Sequence, residues 1–218
     1  MYTIDWSFPE PRKGAWGVLD RFVGPGATKA ENILQFTVPF VAALAAVSYS
    51  LAFPLDWTWF QYAVASVLAL DLSGGVVTNA TSSAKRWFHR AGQSRLDHGK
   101  FILLHFGHLI LVCWLFGAWD LTWMSINMSL LAGATLSILW SPLYLQRPVA
   151  YIAFGVTLML TQCVLSPFVG LEWFLPLFYL KLLVSHLLLE APFRPHISQS
   201  NDIWKAQCFD KSKTGGGL

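Results

Sequence analysis

The sequence predicts an all-α fold, a polytopic transmembrane bundle of six spans preceded by an N-terminal interfacial amphipathic helix. Three observations carry that prediction: composition, the length of the apolar runs, and the sidedness of the positive charge. Of the 218 residues, 55% are hydrophobic and 12% charged, about half the charged fraction of an ordinary soluble domain. A hydrocarbon core needs roughly 20 apolar residues per helix, and six runs approach that length, at 33–53, 58–80, 101–119, 122–142, 149–167 and 171–191. The runs are continuous rather than alternating, which argues against a membrane barrel and for helices that satisfy their own backbone.

Lys and Arg collect on cytoplasmic loops, and all but one of the 15 fall on one side of this six-span scheme. They cluster before the first span, between the second and third, between the fourth and fifth, and after the sixth. Both termini are therefore expected in the cytoplasm. The opposite loops hold Asp56, Asp120 and Glu172 and no cation. The net charge of +3 reads as topology and contact with anionic membrane lipids, and no nucleic-acid motif accompanies it. Three organisational units follow: an N-terminal cytoplasmic or interfacial segment over 1–32, a six-helix domain over 33–192, and a flexible cytoplasmic tail over 193–218.

In the N-terminal segment, Trp16, Leu19, Phe22 and Val23 recur at helical spacing beside Asp20 and Arg21, as a helix lying on a membrane surface requires. Gly24, Pro25 and Gly26 break it, and Thr28 with Glu31 three residues on forms a capping-box signature for the first span. Early acids and Pro9 and Pro11 leave no short apolar run of the signal-peptide kind, so that span reads as an uncleaved anchor. Trp57, Trp59, Trp119, Trp123 and Trp173 are placed as outer interface anchors, and Trp16, Trp87 and Trp140 as inner ones. Cys113, Cys163 and Cys208 are odd in number and without CxxC spacing, indicating neither a disulfide framework nor a cysteine zinc site.

The chemistry-bearing residues concentrate in three spans. In the second, Asp71, Gly74, Gly75, Thr78 and Asn79 share one helical face. In the third, His98, His105 and His108 climb one face. The sixth carries Lys181 and the pair His186 and Glu190 at i, i+4, and α-helical geometry would set Lys181 about 140° round from His186. Measured from the inner ends at 1.5 Å per residue, Asp71, His108 and Lys181 fall at roughly 12–15 Å, and His105 and His186 at roughly 7 Å. Asn79, His98 and Glu190 fall at the rim. The matching heights predict one cavity open to the cytoplasm between the second, third and sixth spans.

Ionisable groups at this depth are costly and by default functional. The candidate catalytic residues are Asp71, His105, His108, Lys181, His186 and Glu190. His105, His108, His186 and Glu190 offer nitrogen and oxygen ligands suited to a divalent metal such as zinc or iron. Asn79, His98, Arg86, His89 and Arg90 line the expected mouth, where the last three could hold a phosphate or carboxylate headgroup. Neither HExxH, the repeated histidine boxes of desaturases, nor a nucleotide-binding glycine loop is present. Asn127 and Gln162, alone in the outer half, read as helix-to-helix hydrogen-bonders.

The inventory of Ser, Asp and several His resembles that of the seven-span metal hydrolases of the alkaline ceramidase type. Six spans and the absence of a terminal HxxxH set this chain apart, and no residue carries over. The leading expectation is a membrane-embedded enzyme acting on a lipid, isoprenoid or other small apolar or amphiphilic substrate that enters laterally, with Lys181 stabilising developing negative charge. A proton-coupled or metal-ion transporter is the second class, and bis-histidine haem ligation by His105 and His186 a third.

Overall fold

The computed structural model describes residues 3–194. The expected tail beyond Arg194, with Cys208, lies outside the described residues. Five helices are long and apolar enough to cross a membrane: α2 (Lys29–Ser50), α3 (Trp59–Ala80), α5 (Arg95–Phe116), α6 (Leu121–Trp140) and α7 (Leu143–Val164). Short helices α1 (Ala15–Val23) and α4 (Ser82–Phe88) precede α2 and α5. Sharp helix starts are written locally, because Thr28 with Glu31, Thr58 with Gln61 and Ser94 with Asp97 each close a reciprocal capping box, a device contributing about 1 kcal/mol. The third long helix consequently begins at Arg95, nearly two turns before its apolar run. The fifth begins at Leu143, and Pro148 is carried inside it.

The expected sixth span takes another form. α8 (Phe174–Tyr179) runs directly into a π-helical segment, Leu180–His186, and together they make an apolar helix shorter than the other five. Phe174, Phe178, Tyr179, Leu182 and Leu183 are buried, and the helix packs against α3, α6 and α7 as the core of the bundle. A π-helix bonds i to i+5, and the Leu187 amide accordingly donates to the Leu182 carbonyl at 3.2 Å. Carbonyls at its end need outside donors. Lys85 of α4 supplies them, its Nζ donating to the carbonyls of Ser185 at 2.7 Å and Leu188 at 2.6 Å. Burial lowers this lysine to about 8.

Strand β1 (Thr3–Ile4) pairs antiparallel with β2 (Phe193–Arg194), Thr3 opposite Arg194. Both ends of the described chain therefore lie at one end of the bundle, together with α4. There Asp20 of α1 accepts from the Arg12 guanidinium at 2.7 and 2.9 Å, which also lies 5.1 Å over the exposed Trp16 ring, while Val18 and Phe22 stay exposed on the opposite face of α1. One tryptophan departs from its expected place. Trp123 is buried and tilts against Phe168 at 4.8 Å, because it begins the inward face of α6 that continues through Asn127 and Leu131.

Candidate functional site

Glycine spacing and π-helical geometry together build the deepest part of the site. A Cβ at Gly75 would overlap the side-chain carbons of Lys181, so the missing side chain leaves the groove through which Lys181 crosses α3. Gly74 instead faces α2, where a Cβ would meet Pro39 at 3.1 Å. Lys181 and His186 are five residues apart, which matches the π repeat. Both therefore turn towards α3 and α5, rather than diverging as they would in an α-helix.

Three ionisable groups meet at this point. Lys181 Nζ donates to Asp71 Oδ2 at 2.6 Å, and His108 Nε2 lies 3.1 Å from the same oxygen. A carboxylate paired with an ammonium only accepts, so Nε2 carries the hydrogen and Nδ1 of a neutral ring is left with a free lone pair. The Lys181 side chain is only 4% exposed, whereas Asp71 is 39% and His108 25% exposed. This asymmetry follows from the packing. α5 packs closely on α6 and reaches α3 through long side chains, Gln61 to the Leu115 carbonyl at 2.7 Å and His108 to Asp71. Asp71 and His108 keep their partial exposure at this loosely packed approach of α5 to α3.

From His108 a column of rings runs towards the α4 end. His105 stacks on His108 with centroids 5.0 Å apart, and its Nδ1 donates to the Phe101 carbonyl at 2.8 Å. Phe101 stacks on His186 at 3.9 Å, and His186 Nε2 shares a hydrogen bond with His98 Nδ1 at 3.2 Å. His89 stacks on His98 at 4.5 Å and donates from Nε2 to the His186 carbonyl at 3.0 Å. Burial, with the neighbouring His98 and Lys85, holds His89 down at about 3, so it is neutral at physiological pH. The column ends in a cavity of about 300 Å³ lined by His89, His98, Gln93, Ser94, Ser141 and Gln146, among others.

Several expected groupings are not assembled. Among the described residues no three His, Cys, Asp or Glu side chains are placed to hold a metal ion. The set His105, His108, His186 and Glu190 is split for identifiable reasons. Phe101 lies between His105 and His186, stacked on one and tilted against the other, filling the place a haem plane would need. Helical structure stops at His186, so the i, i+4 relation to Glu190 lapses, and Glu190 pairs with Arg147 of α7 at 3.3 Å. Lys181 is turned to Asp71 and does not face outward.

The headgroup trio also separates. Arg90 folds back, donating to the Trp87 carbonyl at 2.6 Å and lying 4.0 Å over the Trp87 ring. His89 joins the column, and Arg86 points away towards the N-terminal segment. Asn79 is buried at the α4 end of α3. In the other half of the bundle, Asn127 accepts from the Tyr179 hydroxyl at 2.8 Å, joining α6 to α8.

Two contributors escaped sequence reasoning. Phe101 was read only as the start of an apolar run, although its spacing of three from His98 and four from His105 puts it on the histidine face. Lys85 belongs to the basic stretch between the second and third apolar runs, and only the π-helical end of the inner helix explains its burial.

Five long apolar helices around a buried helix carrying Lys181 define a helical protein compatible with multi-pass membrane insertion. No protein-family model, curated protein or solved structure matches the chain.

Proposed function

We propose that the protein is a six-pass membrane enzyme that uses Asp71 and His108 for acid–base chemistry on the polar end of an apolar or amphiphilic substrate. The pairing of Thr3–Ile4 with Phe193–Arg194 supports the sixth pass, since ends that meet require an even number of crossings. The inner helix spans only roughly 20 Å at α-helical rise, and the irregular segments flanking it complete the pass inside the bundle, where protein rather than lipid surrounds them. The basic residues of α4 and its surroundings set this end in the cytoplasm, with α1 lying on the inner surface. Membrane lipids are the partners of the outer faces.

The observation that carries the enzymatic reading is a buried Lys181 neutralising an Asp71 that remains partly open beside His108. Asp71 orients the ring through Nε2, and Nδ1 takes a proton from water or a substrate hydroxyl. The oxygen lone pair attacks an acyl or phosphoryl centre, the bond to the leaving group breaks, and the protonated ring returns its proton to that group. Lys181 is a positioning residue that keeps Asp71 ionised and aimed. No step passes through a metal, because the ligand set is not assembled. The transporter alternative needs outward access, and in the outer half Asn127 and Gln61 are engaged by Tyr179 and the Leu115 carbonyl, while Gln162, expected as a helix-to-helix hydrogen-bonder, is exposed at the surface of α7.

Lipid extracts of cells producing wild-type protein, His108→Ala or Asp71→Asn, compared by mass spectrometry, test the proposal. It expects a species depleted or formed with the wild type and unchanged with either variant. Substrate flux into proteoliposomes that Asp71→Asn abolishes, with unchanged lipids, would favour transport.

A further inference from the structure

Arg86 is the largest fully buried side chain of the described residues, 2% exposed, and its Nε and Nη1 have no hydrogen-bond partner. A buried guanidinium left without acceptors is among the costlier arrangements in a protein. Arg86 lines an open cavity of about 670 Å³, shared with Ser7–Pro9, Gly26, Thr28, Glu31, Phe193 and Arg194. This cavity shares no lining residue with the one at the end of the histidine column.

The nearby carboxylates are already engaged elsewhere. Glu31 accepts from the Ser83 amide at 3.0 Å and the Thr28 amide at 2.7 Å. Asp5 accepts from the Ser7 amide at 2.8 Å and pairs with Arg194 Nε at 3.2 Å. Two guanidinium groups thus flank one cavity, and neither Glu31 nor Asp5 hydrogen-bonds Arg86.

We infer that this cavity is an anion site for a phosphate group, held by Arg86 and assisted by Arg194. Planar guanidinium donors match phosphate oxygens, and a phosphate here would fill the empty acceptor positions around Arg86. Burial and the like charge of Arg194 both push Arg86 below its ordinary value, a strain that a bound dianion relieves. The phosphate can come from solution or from a lipid headgroup at the membrane surface, and the site does not depend on the Asp71 chemistry.

The test is thermal unfolding of the full chain in nanodiscs, with two probes. One is inorganic phosphate added to phosphatidylcholine discs; the other is phosphatidic acid mixed into the phosphatidylcholine. Stabilisation by phosphate identifies a soluble ligand, and stabilisation by phosphatidic acid alone identifies a lipid headgroup. Either supports the site if Arg86→Gln abolishes it. Arg194→Gln, at a partly exposed position, should weaken the same response about tenfold in midpoint concentration. No stabilisation of the wild type by either probe, or equal stabilisation of wild type and both variants, overturns the inference. His108→Ala should respond as the wild type does, which separates this result from the fate of the catalytic reading.

Discussion

At the scale of single residues, Asp71 and Lys181 have to be considered together, because neither is affordable inside a membrane alone. Removing one partner of a buried pair costs about 3–5 kcal/mol, and the partial exposure of Asp71 reduces that by screening. Lys181→Met should therefore destabilise by about 1–2 kcal/mol, and Asp71→Asn combined with Lys181→Met should recover part of the loss. Denaturant titration of the purified variants measures both. His89 supplies a pH signature. Its folded value of about 3 lies below the ordinary 6.5, so the unfolded chain binds the proton more readily and stability falls as pH drops from 6.5 towards 3. His89→Gln should flatten that part of the curve of melting temperature against pH. The acid and its lysine were legible in the sequence because they are rare at that depth. The fate of Glu190 was not legible, since it depends on where helical structure ends.

At the scale of elements, the π-helical segment decides the site. α-Helical geometry sets Lys181 about 140° round from His186, and neither residue type contradicts it. The extra residue per turn arises from packing around the inner helix and from Lys85 accepting the role of carbonyl donor. Neither is a local sequence property. The sequence puts both glycines on one face with Asp71, whereas the structure turns only Gly75 to Lys181 and turns Gly74 to Pro39 of α2. Gly75→Ala should destabilise the protein and disturb the ion pair, because its Cβ overlaps Lys181. Gly133→Ala in α6 meets nothing within 4 Å and should be neutral or stabilising by about 0.5–1 kcal/mol. Melting temperatures of the two variants, measured side by side, check the contrast.

At the scale of the whole molecule, apolar run length gave the five long helices to within about a turn or two at most ends. Hydropathy did not reveal that the sixth run would form a shorter, buried helix, since burial in a bundle and exposure to lipid both select apolar residues. The β1–β2 pairing predicts that tags at the two termini report the same side of the membrane, and protease protection of sealed vesicles reads this directly. The most direct measurement of the central claim is native mass spectrometry of wild-type protein and Asp71→Asn released from nanodiscs of host lipid. The account predicts that one amphiphile, with its polar end in the Asp71–His108 opening, remains bound to the wild type and is lost from the variant. Identical lipid adducts on two equally folded proteins would contradict it.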